Sequence, residues 1–123
     1  MSLNILIVSN TSWYLYNFRL GLISLFLERG YQVFTLAPED EFSFKLGKSG
    51  CHHIHLEMDN KGLNPIRDLM MKKRLSERYK EINSDLILHY TIKPVIYGSM
   101  AASNLGIPFV NNITGLGTIF IKR

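Results

Sequence analysis

The chain has 123 residues, of which 46% are hydrophobic and 20% charged, a balance that excludes a disordered or fibrous protein and fits one globular domain. The formal net charge of +4 favours anionic partners such as nucleic acid, acidic lipid headgroups or phosphorylated substrates. The single cysteine, Cys51, excludes an intramolecular disulfide and is interpreted as a small buried residue of a protein in a reducing compartment.

Short apolar runs alternate with helix-like segments along the whole chain, which is typical of βαβ units. We therefore predict an α/β fold: a Rossmann-like, doubly wound parallel sheet of about five strands with helices on both faces. The predicted strands cover residues 3–9, 31–37, 53–57, 85–90 and 107–113. The predicted helices cover residues 16–29, 39–48, 65–82 and 93–106. Ligands of such sheets bind at the carboxyl ends of the strands, so the segments that follow the strands are the candidate sites.

The segment after the first strand, residues 9–19, lacks the glycine-rich turn of a dinucleotide site and is polar and aromatic instead. Sugars require this mixture, because their hydroxyl groups need directional hydrogen bonds and their C–H faces stack on aromatic rings. The alternative is that the aromatic residues pack on the sheet and the polar residues cap the helix. The candidate binding residues of this loop are Asn10, Ser12, Trp13, Tyr16, Asn17 and Arg19.

The stretch "CHHIH" and the residues that follow it surround the third predicted strand. His53 and His55 lie on one face of that strand, but a zinc site normally needs three or four protein ligands, so we interpret both as structural, with a metal as the minor alternative. Asp59 and Asn60 come after the strand, where they either line the same crevice as Trp13 or form a polar turn.

The third predicted helix begins with Asn64 and Pro65, an N-cap residue followed by proline at the first helical position. Its stretch "MMKKRLSERYK" combines apolar residues with a basic group that includes Lys72, Lys73, Arg74 and Arg78. A basic helix with apolar neighbours can lie against an anionic membrane surface. The alternative is an ordinary solvated helix face.

The stretch "HYTIKP" ends the fourth strand and begins the next helix. It places His89, Tyr90 and Lys93 near a helix N-terminus, where an anion is favoured. These residues are the best chemical cluster of the sequence, and we take them as candidate catalytic residues. The alternative is a strand histidine that is hydrogen-bonded within the core, together with a solvent-exposed lysine.

The stretch "NNITGLGT" follows the fifth strand and contains Thr114, Gly115 and Gly117. Two glycines allow backbone amides to approach a ligand closely, although they also serve an ordinary turn. The pair lacks the third glycine and the first-strand position of a dinucleotide fingerprint, which disfavours a nicotinamide dehydrogenase.

Taken in order, the segments "LIVSNTSWYLYNFRLGLI", "TLAPEDEFSFKL", "MDNKGLNPIRDL", "LHYTIKPVIYGSMAA" and "NNITGLGT" resemble the N-terminal half of a GT-B glycosyltransferase of family 4, of the bacterial surface-polysaccharide type. The resemblance covers residues 4–120. It implies an acceptor-side domain that faces a second, donor-binding domain across a catalytic cleft. It further implies a nucleotide-sugar donor, usually a UDP-sugar, a lipid-linked or saccharide acceptor in capsule, O-antigen or exopolysaccharide synthesis, retention of anomeric configuration, and no metal or other cofactor.

On this resemblance, the loop 9–19 together with Asp59 and Asn60 would hold the acceptor, and Thr114, Gly115 and Gly117 would lie near the donor phosphate. Tyr90 stands roughly where many family members place a catalytic-site histidine, with His89 one position earlier, so that either residue or neither fills that role. The chain ends at Arg123, where the family's first domain normally continues. We therefore expect the donor-binding domain to lie outside this chain, and the chain by itself to be inactive.

Two other functions remain as alternatives. A non-catalytic, flavodoxin-like binding module, or a subunit of a two-chain transferase, is compatible with a lone acceptor domain. Nucleic-acid binding is disfavoured, because the aromatic residues of the first loop and the basic residues of 72–78 lie on different elements. The apolar runs are too short for a membrane span of about 20 residues or for a secretory signal, so a cytoplasmic protein is predicted, with peripheral membrane contact through the basic helix.

Overall fold

A computed structural model describes residues 3–58 and 64–112 of the chain. These residues contain a five-stranded sheet in the order β3-β2-β1-β4-β5, with every neighbouring pair parallel. The strands are β1 Asn4–Val8, β2 Gln32–Ala37, β3 His52–His55, β4 Leu86–Tyr90 and β5 Phe109–Asn112. The predicted Rossmann-like fold is confirmed, and all five predicted strands are present.

The sheet is covered on both faces, which explains why its central strand is a continuous apolar run. On one face, Leu6 and Val8 pack into a cluster with Leu75 and Tyr79 of the long third-crossover helix. On the opposite face, the alternate residues of β1 pack with Leu15 and Ile23 of the first crossover. Cys51 is free and buried in the second cluster, as predicted.

The first crossover begins earlier than predicted. Residues 12–15, expected in a loop, already belong to helix α1 (Ser12–Phe18), because the Thr11 side chain accepts a hydrogen bond from the backbone N–H of Tyr14 at 3.1 Å and caps it. Arg19 then leaves the helical region (φ −123°, ψ 6°), and α2 (Leu20–Glu28) follows. The predicted start of this helix at residue 16 is therefore wrong, and the first loop is largely a helix with a kink at Arg19.

Three further boundaries differ from the prediction by two residues or more. Helix α3 (Ser43–Lys48) begins four residues late, because the Asp40 carboxylate accepts the backbone N–H of Phe42 at 2.7 Å and forms a turn instead. Strand β3 ends at His55 rather than residue 57, and β5 begins at Phe109 rather than residue 107. The carboxyl ends of the other four strands lie within one residue of the predicted places.

Helix α4 (Pro65–Ile82) confirms its predicted bounds. The Asn64 side chain accepts a hydrogen bond from the backbone N–H of Arg67 at 3.2 Å, which satisfies one of the free donors of the first turn. The helix ends at Asn83, which adopts the left-handed conformation (φ 58°) that asparagine tolerates better than most residues.

The segment after β4 is unusual. Thr91 has a positive φ of 72°, and the predicted helix 93–106 begins with a π-helical turn (Pro94–Gly98) before α5 (Ser99–Leu105). Strained residues and π-helical turns are enriched at functional sites. The segment Thr91–Gly98 is therefore a candidate part of the functional site.

Candidate functional site

The carboxyl edge of the sheet brings the segments after β1 and β4 together, because these strands are neighbours. The backbone N–H of Asn10 donates to the hydroxyl oxygen of Thr91 at 3.1 Å, and the same hydroxyl donates to the carbonyl of Tyr90. The positive φ of Thr91 is thus held by contacts on both sides of the junction. This junction is the centre of the candidate site.

Helix α1 places an exposed aromatic surface beside the junction. Trp13 and Phe18 keep 48% and 57% of their surface exposed, and their rings meet edge to face with centroids 5.5 Å apart. The backbone N–H of Trp13 donates to the Asp40 carboxylate at 3.1 Å, which ties the first turn of α1 to the segment after β2. An exposed ring on a fixed backbone is what stacking on a sugar requires.

Two other predicted residues of α1 flank Trp13. Asn17 is exposed, and its side-chain amide donates to the backbone carbonyl of Trp13 at 2.9 Å. Tyr16 is half-buried, stacks on Phe42 at 5.6 Å and lies under the Lys45 ammonium, also at 5.6 Å. Tyr16 therefore faces α3, and Asn17 shares the exposed side of the helix with Trp13.

Ser12 is fully buried, so the structure separates it from the exposed residues of α1. Its hydroxyl donates to the Pro38 carbonyl at 2.7 Å, accepts from the Ser43 hydroxyl at 3.1 Å and lies 3.3 Å from Nε2 of His53. Its hydrogen bonds are used within the fold, and we therefore leave Ser12 out of the proposed acceptor site.

Arg19 connects α1 to the end of β4. Its Nη2 donates to the Tyr14 hydroxyl at 2.8 Å, and its guanidinium carbon lies 4.5 Å from the ring centre of Tyr90 and 5.4 Å from that of Tyr14. Burial raises the pKa of Tyr90, and the Arg19 charge acts in the opposite direction. Tyr90 is consequently a buried, neutral ring that supports a cation.

His89 lies on the opposite face of the sheet from Tyr90, because alternate strand residues point to opposite sides. It is fully buried, with Nε2 2.8 Å from the Tyr79 hydroxyl and Nδ1 2.9 Å from Oδ1 of Asn111. Burial lowers the pKa of His89 to about 4 and raises that of Tyr79, so the phenol donates to Nε2 and Nδ1 donates to Asn111. These contacts correspond to the alternative of a hydrogen-bonded core histidine, and we leave His89 out of the proposed site.

Lys93 forms an ion pair that the sequence analysis missed. Its ammonium lies 3.0 Å from Oδ1 of Asp68 on α4, with only 13% and 5% of the two side chains exposed. The Tyr97 hydroxyl donates to Oδ2 of Asp68 at 3.1 Å, and this hydrogen bond raises the pKa of Tyr97. Lys93 is therefore neither a simple solvent lysine nor a cation without a counter-ion.

The spacing of residues along α4 already indicates that Asp68 is buried. Asp68 is in phase with the buried apolar residues of α4, which are Met71, Leu75, Tyr79 and Ile82. A carboxylate at a core position of a helix requires a partner. Lys93, near the N-terminus of the following helix, is a residue of opposite charge that can serve as this partner.

The two histidines of β3 are hydrogen-bonded within the fold. His53 lies 2.9 Å from the Thr35 hydroxyl, and burial lowers its pKa, while Nδ1 of His55 accepts the backbone N–H of Glu39 at 2.8 Å. Across residues 3–58 and 64–112, no group of three or more histidine, cysteine, aspartate or glutamate side chains is placed to hold a metal ion. Their interpretation as structural residues agrees with these contacts.

Helix α4 carries an exposed apolar and basic surface. Ile66, Leu69 and Met70 are exposed, and Lys72 and Lys73 lie on the same helix next to Leu69 and Met70 in a shallow groove. In the part of the chain that the structure describes, no helix is long and apolar enough to cross a membrane.

Five predicted site residues lie outside the described residues. They are Asp59, Asn60, Thr114, Gly115 and Gly117. The site as described is therefore built from the segments after β1, β2 and β4.

The amino-acid sequence matches a known protein family. The family model described as Glycosyl transferase 4-like matches residues 4–123. A curated relative, the N,N'-diacetylbacillosaminyl-diphospho-undecaprenol alpha-1,3-N-acetylgalactosaminyltransferase of Campylobacter jejuni, is 31% identical over 110 residues. These residues are 89% of this chain and 29% of that enzyme, so the chain spans less than a third of the relative's length.

Solved structures share the fold. A glycosyltransferase from Rickettsia africae matches with a TM-score of 0.75 at 19% identity, over 89% of this chain and 29% of that one. MurG from Acinetobacter baumannii matches with a TM-score of 0.71 at 16% identity, over 92% of this chain and 35% of that one. At these identities the likeness concerns the fold alone, and the chain corresponds to about one third of each protein.

Proposed function

Because the chain belongs to the Glycosyl transferase 4-like family, we propose that it is the acceptor-binding half of a GT-B enzyme that transfers a sugar to a lipid-linked saccharide. The observation that carries this proposal is the exposed Trp13, held on a fixed helix turn beside the junction of the β1 and β4 segments. The name of the Campylobacter relative supports it, since that enzyme acts on a sugar linked to diphospho-undecaprenol.

The donor side of the reaction belongs to the same proposal. A nucleotide-sugar, of the UDP type, would bind to a donor-binding domain that faces this one, with Thr114, Gly115 and Gly117 near its phosphates. Transfer retains the anomeric configuration and uses no metal, and the product enters the synthesis of a bacterial surface polysaccharide. Asn10, Asn17, Asp59 and Asn60 contact the acceptor beside Trp13, while Lys93 positions the segment after β4 through Asp68.

The test is a transfer assay on the natural protein that carries this chain, with UDP-sugars and a lipid-diphosphate-linked saccharide. Trp13→Ala is expected to lower kcat/KM for the acceptor about fivefold, because loss of a stacking ring costs about 1 kcal/mol in the transition state. Binding of the donor should be unchanged. Phe44→Ala is the matched control, since Phe44 is an even more exposed aromatic residue, on α3.

Two results would count against the proposal. Absence of transfer with every donor, combined with saturable binding of the acceptor, favours the binding module. Equal losses of acceptor kinetics in Trp13→Ala and Phe44→Ala remove Trp13 from the acceptor site.

Peripheral membrane contact through α4 is a further part of the proposal, because a lipid-linked acceptor resides at a bilayer. The exposed Ile66, Leu69 and Met70 can enter the headgroup boundary while the neighbouring basic residues face anionic lipid. The protein is then cytoplasmic and bound to the inner face of the plasma membrane.

Changing Lys72, Lys73 and Arg74 together to glutamine is expected to lower partitioning onto phosphatidylglycerol vesicles at least tenfold, since each basic residue contributes about 1 kcal/mol near an anionic surface. The control variant changes Arg29, Lys45 and Lys48 to glutamine, which removes the same charge from α3 and the end of α2. Equal partitioning of the two variants would show that α4 is a solvated face.

A further inference from the structure

Arg19 is a half-buried cation that has no carboxylate partner among the residues that the structure describes. Within residues 3–58 and 64–112, the ion pairs are those of Arg78 with Glu81 and of Lys93 with Asp68, and Arg19 takes part in neither. Its Nε is buried and has no hydrogen-bond acceptor in the described part of the chain. A buried N–H donor without an acceptor costs free energy, so the position calls for an explanation.

The two tyrosines explain how the charge is tolerated. Tyr90 lies beneath the guanidinium at 4.5 Å, Tyr14 lies beside it at 5.4 Å, and the Tyr14 hydroxyl accepts from Nη2. The rings fix the plane of the guanidinium and attract its charge through their π faces. They do not neutralise it, which leaves a positioned charge that can attract an anion.

The guanidinium also keeps donors for a ligand. Of its five N–H groups, one hydrogen-bonds to the Tyr14 hydroxyl, one makes a long contact of 3.4 Å to the Phe18 carbonyl and the Nε–H is buried, which leaves two. Arg19 lies at the kink between α1 and α2, and its guanidinium lies over the ring of Tyr90, the last residue of β4. Its side chain therefore reaches back to the carboxyl end of β4, where the candidate site lies.

We propose that Arg19 binds the diphosphate group of the lipid-linked acceptor. This inference rests on the proposed function and specifies which part of the acceptor this chain recognises. Phosphate oxygens match the planar donors of a guanidinium, and such charge-assisted hydrogen bonds are among the stronger ones in proteins. The rings of Tyr14 and Phe18 connect Arg19 to the exposed ring of Trp13, so a sugar next to the diphosphate would lie near that ring.

A nucleotide diphosphate presents the same chemistry, so the experiment uses both sources. Geranyl diphosphate and UDP are titrated calorimetrically into the natural protein, with geraniol as the ligand without phosphate. Arg19→Ala is expected to weaken binding of geranyl diphosphate at least about tenfold and to leave UDP binding unchanged. Arg19→Lys should give an intermediate loss, because an ammonium keeps the charge but lacks the planar pair of donors.

Lys48→Gln is the matched control, since it removes one positive charge from an exposed residue of α3. If Arg19→Ala does not fold, Arg19→Lys and Tyr14→Phe carry the test, because Tyr14→Phe removes only the hydroxyl that orients Nη2. The proposal is overturned if these variants bind geranyl diphosphate like Lys48→Gln, if geraniol binds equally well, or if Arg19 affects UDP alone. Diphosphate binding that depends on Arg19 without sugar transfer would uphold this inference and count against the proposed reaction.

Discussion

Gly98→Ala is expected to lower the free energy of unfolding by about 3 kcal/mol, because the added methyl group has no room. A Cβ atom at this position would lie 2.8 Å from the Tyr79 hydroxyl and closer still to the imidazole of His89. Both side chains are fully buried and hydrogen-bonded to each other, so neither can move aside without breaking that bond. Glycine is required here by the close approach of the π-helical turn to His89.

The measurement is urea unfolding of Gly98→Ala beside Gly21→Ala. Gly21 lies in α2 with no atom within 4 Å of its hypothetical Cβ, so alanine there should be neutral or stabilising by up to about 1 kcal/mol. Equal stability of the two variants would contradict the described packing of Gly98 against His89.

Asp68→Ala is expected to cost about 3 kcal/mol of stability, because it removes the buried carboxylate that is paired with the largely buried Lys93 ammonium. The Tyr97 hydroxyl loses its acceptor at the same time. The effect should reach the candidate site, since Lys93 belongs to the strained segment that begins at Thr91. Acceptor use by the natural protein should therefore fall together with stability.

Glu81→Ala is the matched control for an ion pair on the same helix. The pair of Arg78 and Glu81 is 2.9 Å long, but 34% and 63% of the two side chains are exposed, so its loss should cost less than about 0.5 kcal/mol. Replacing Asp68 by leucine and Lys93 by methionine together should recover much of the stability lost in Asp68→Ala, since no charge remains buried. A double variant as unstable as Asp68→Ala would assign the loss to packing or to Tyr97 instead.

The sequence did not reveal which side chains of the predicted site are buried within the fold. His89 and Tyr90 were one cluster in the sequence, but consecutive strand residues point to opposite faces, and only the packing decides what covers each. Tyr79 and Gly98 enclose His89, while Arg19 and Tyr14 cover Tyr90. Lys93 was singled out as a candidate catalytic residue, but its partner Asp68 is 25 residues away and belongs to another helix.

The helix starts also differ in how well the sequence predicts them. The Asn64 cap and Pro65 act within one turn, so the start of α4 could be read directly from the sequence. Thr11 caps α1 in the same way, but the aromatic residues that follow it suggested a loop, and the helix start was missed. A capping residue predicts the start of a helix only when the residues that follow it also favour a helix.

By itself, the sequence determined the order of strands and helices, the parallel sheet and the family, because apolar periodicity and the order of motifs are local properties of the chain. The tertiary structure alone decided which polar side chains are available. It buried Ser12 and His89, paired Lys93 with Asp68, and held Arg19 between two tyrosines. The reason is physical: burial and pairing depend on contacts between residues far apart in sequence, and these contacts determine whether a side chain can meet a ligand.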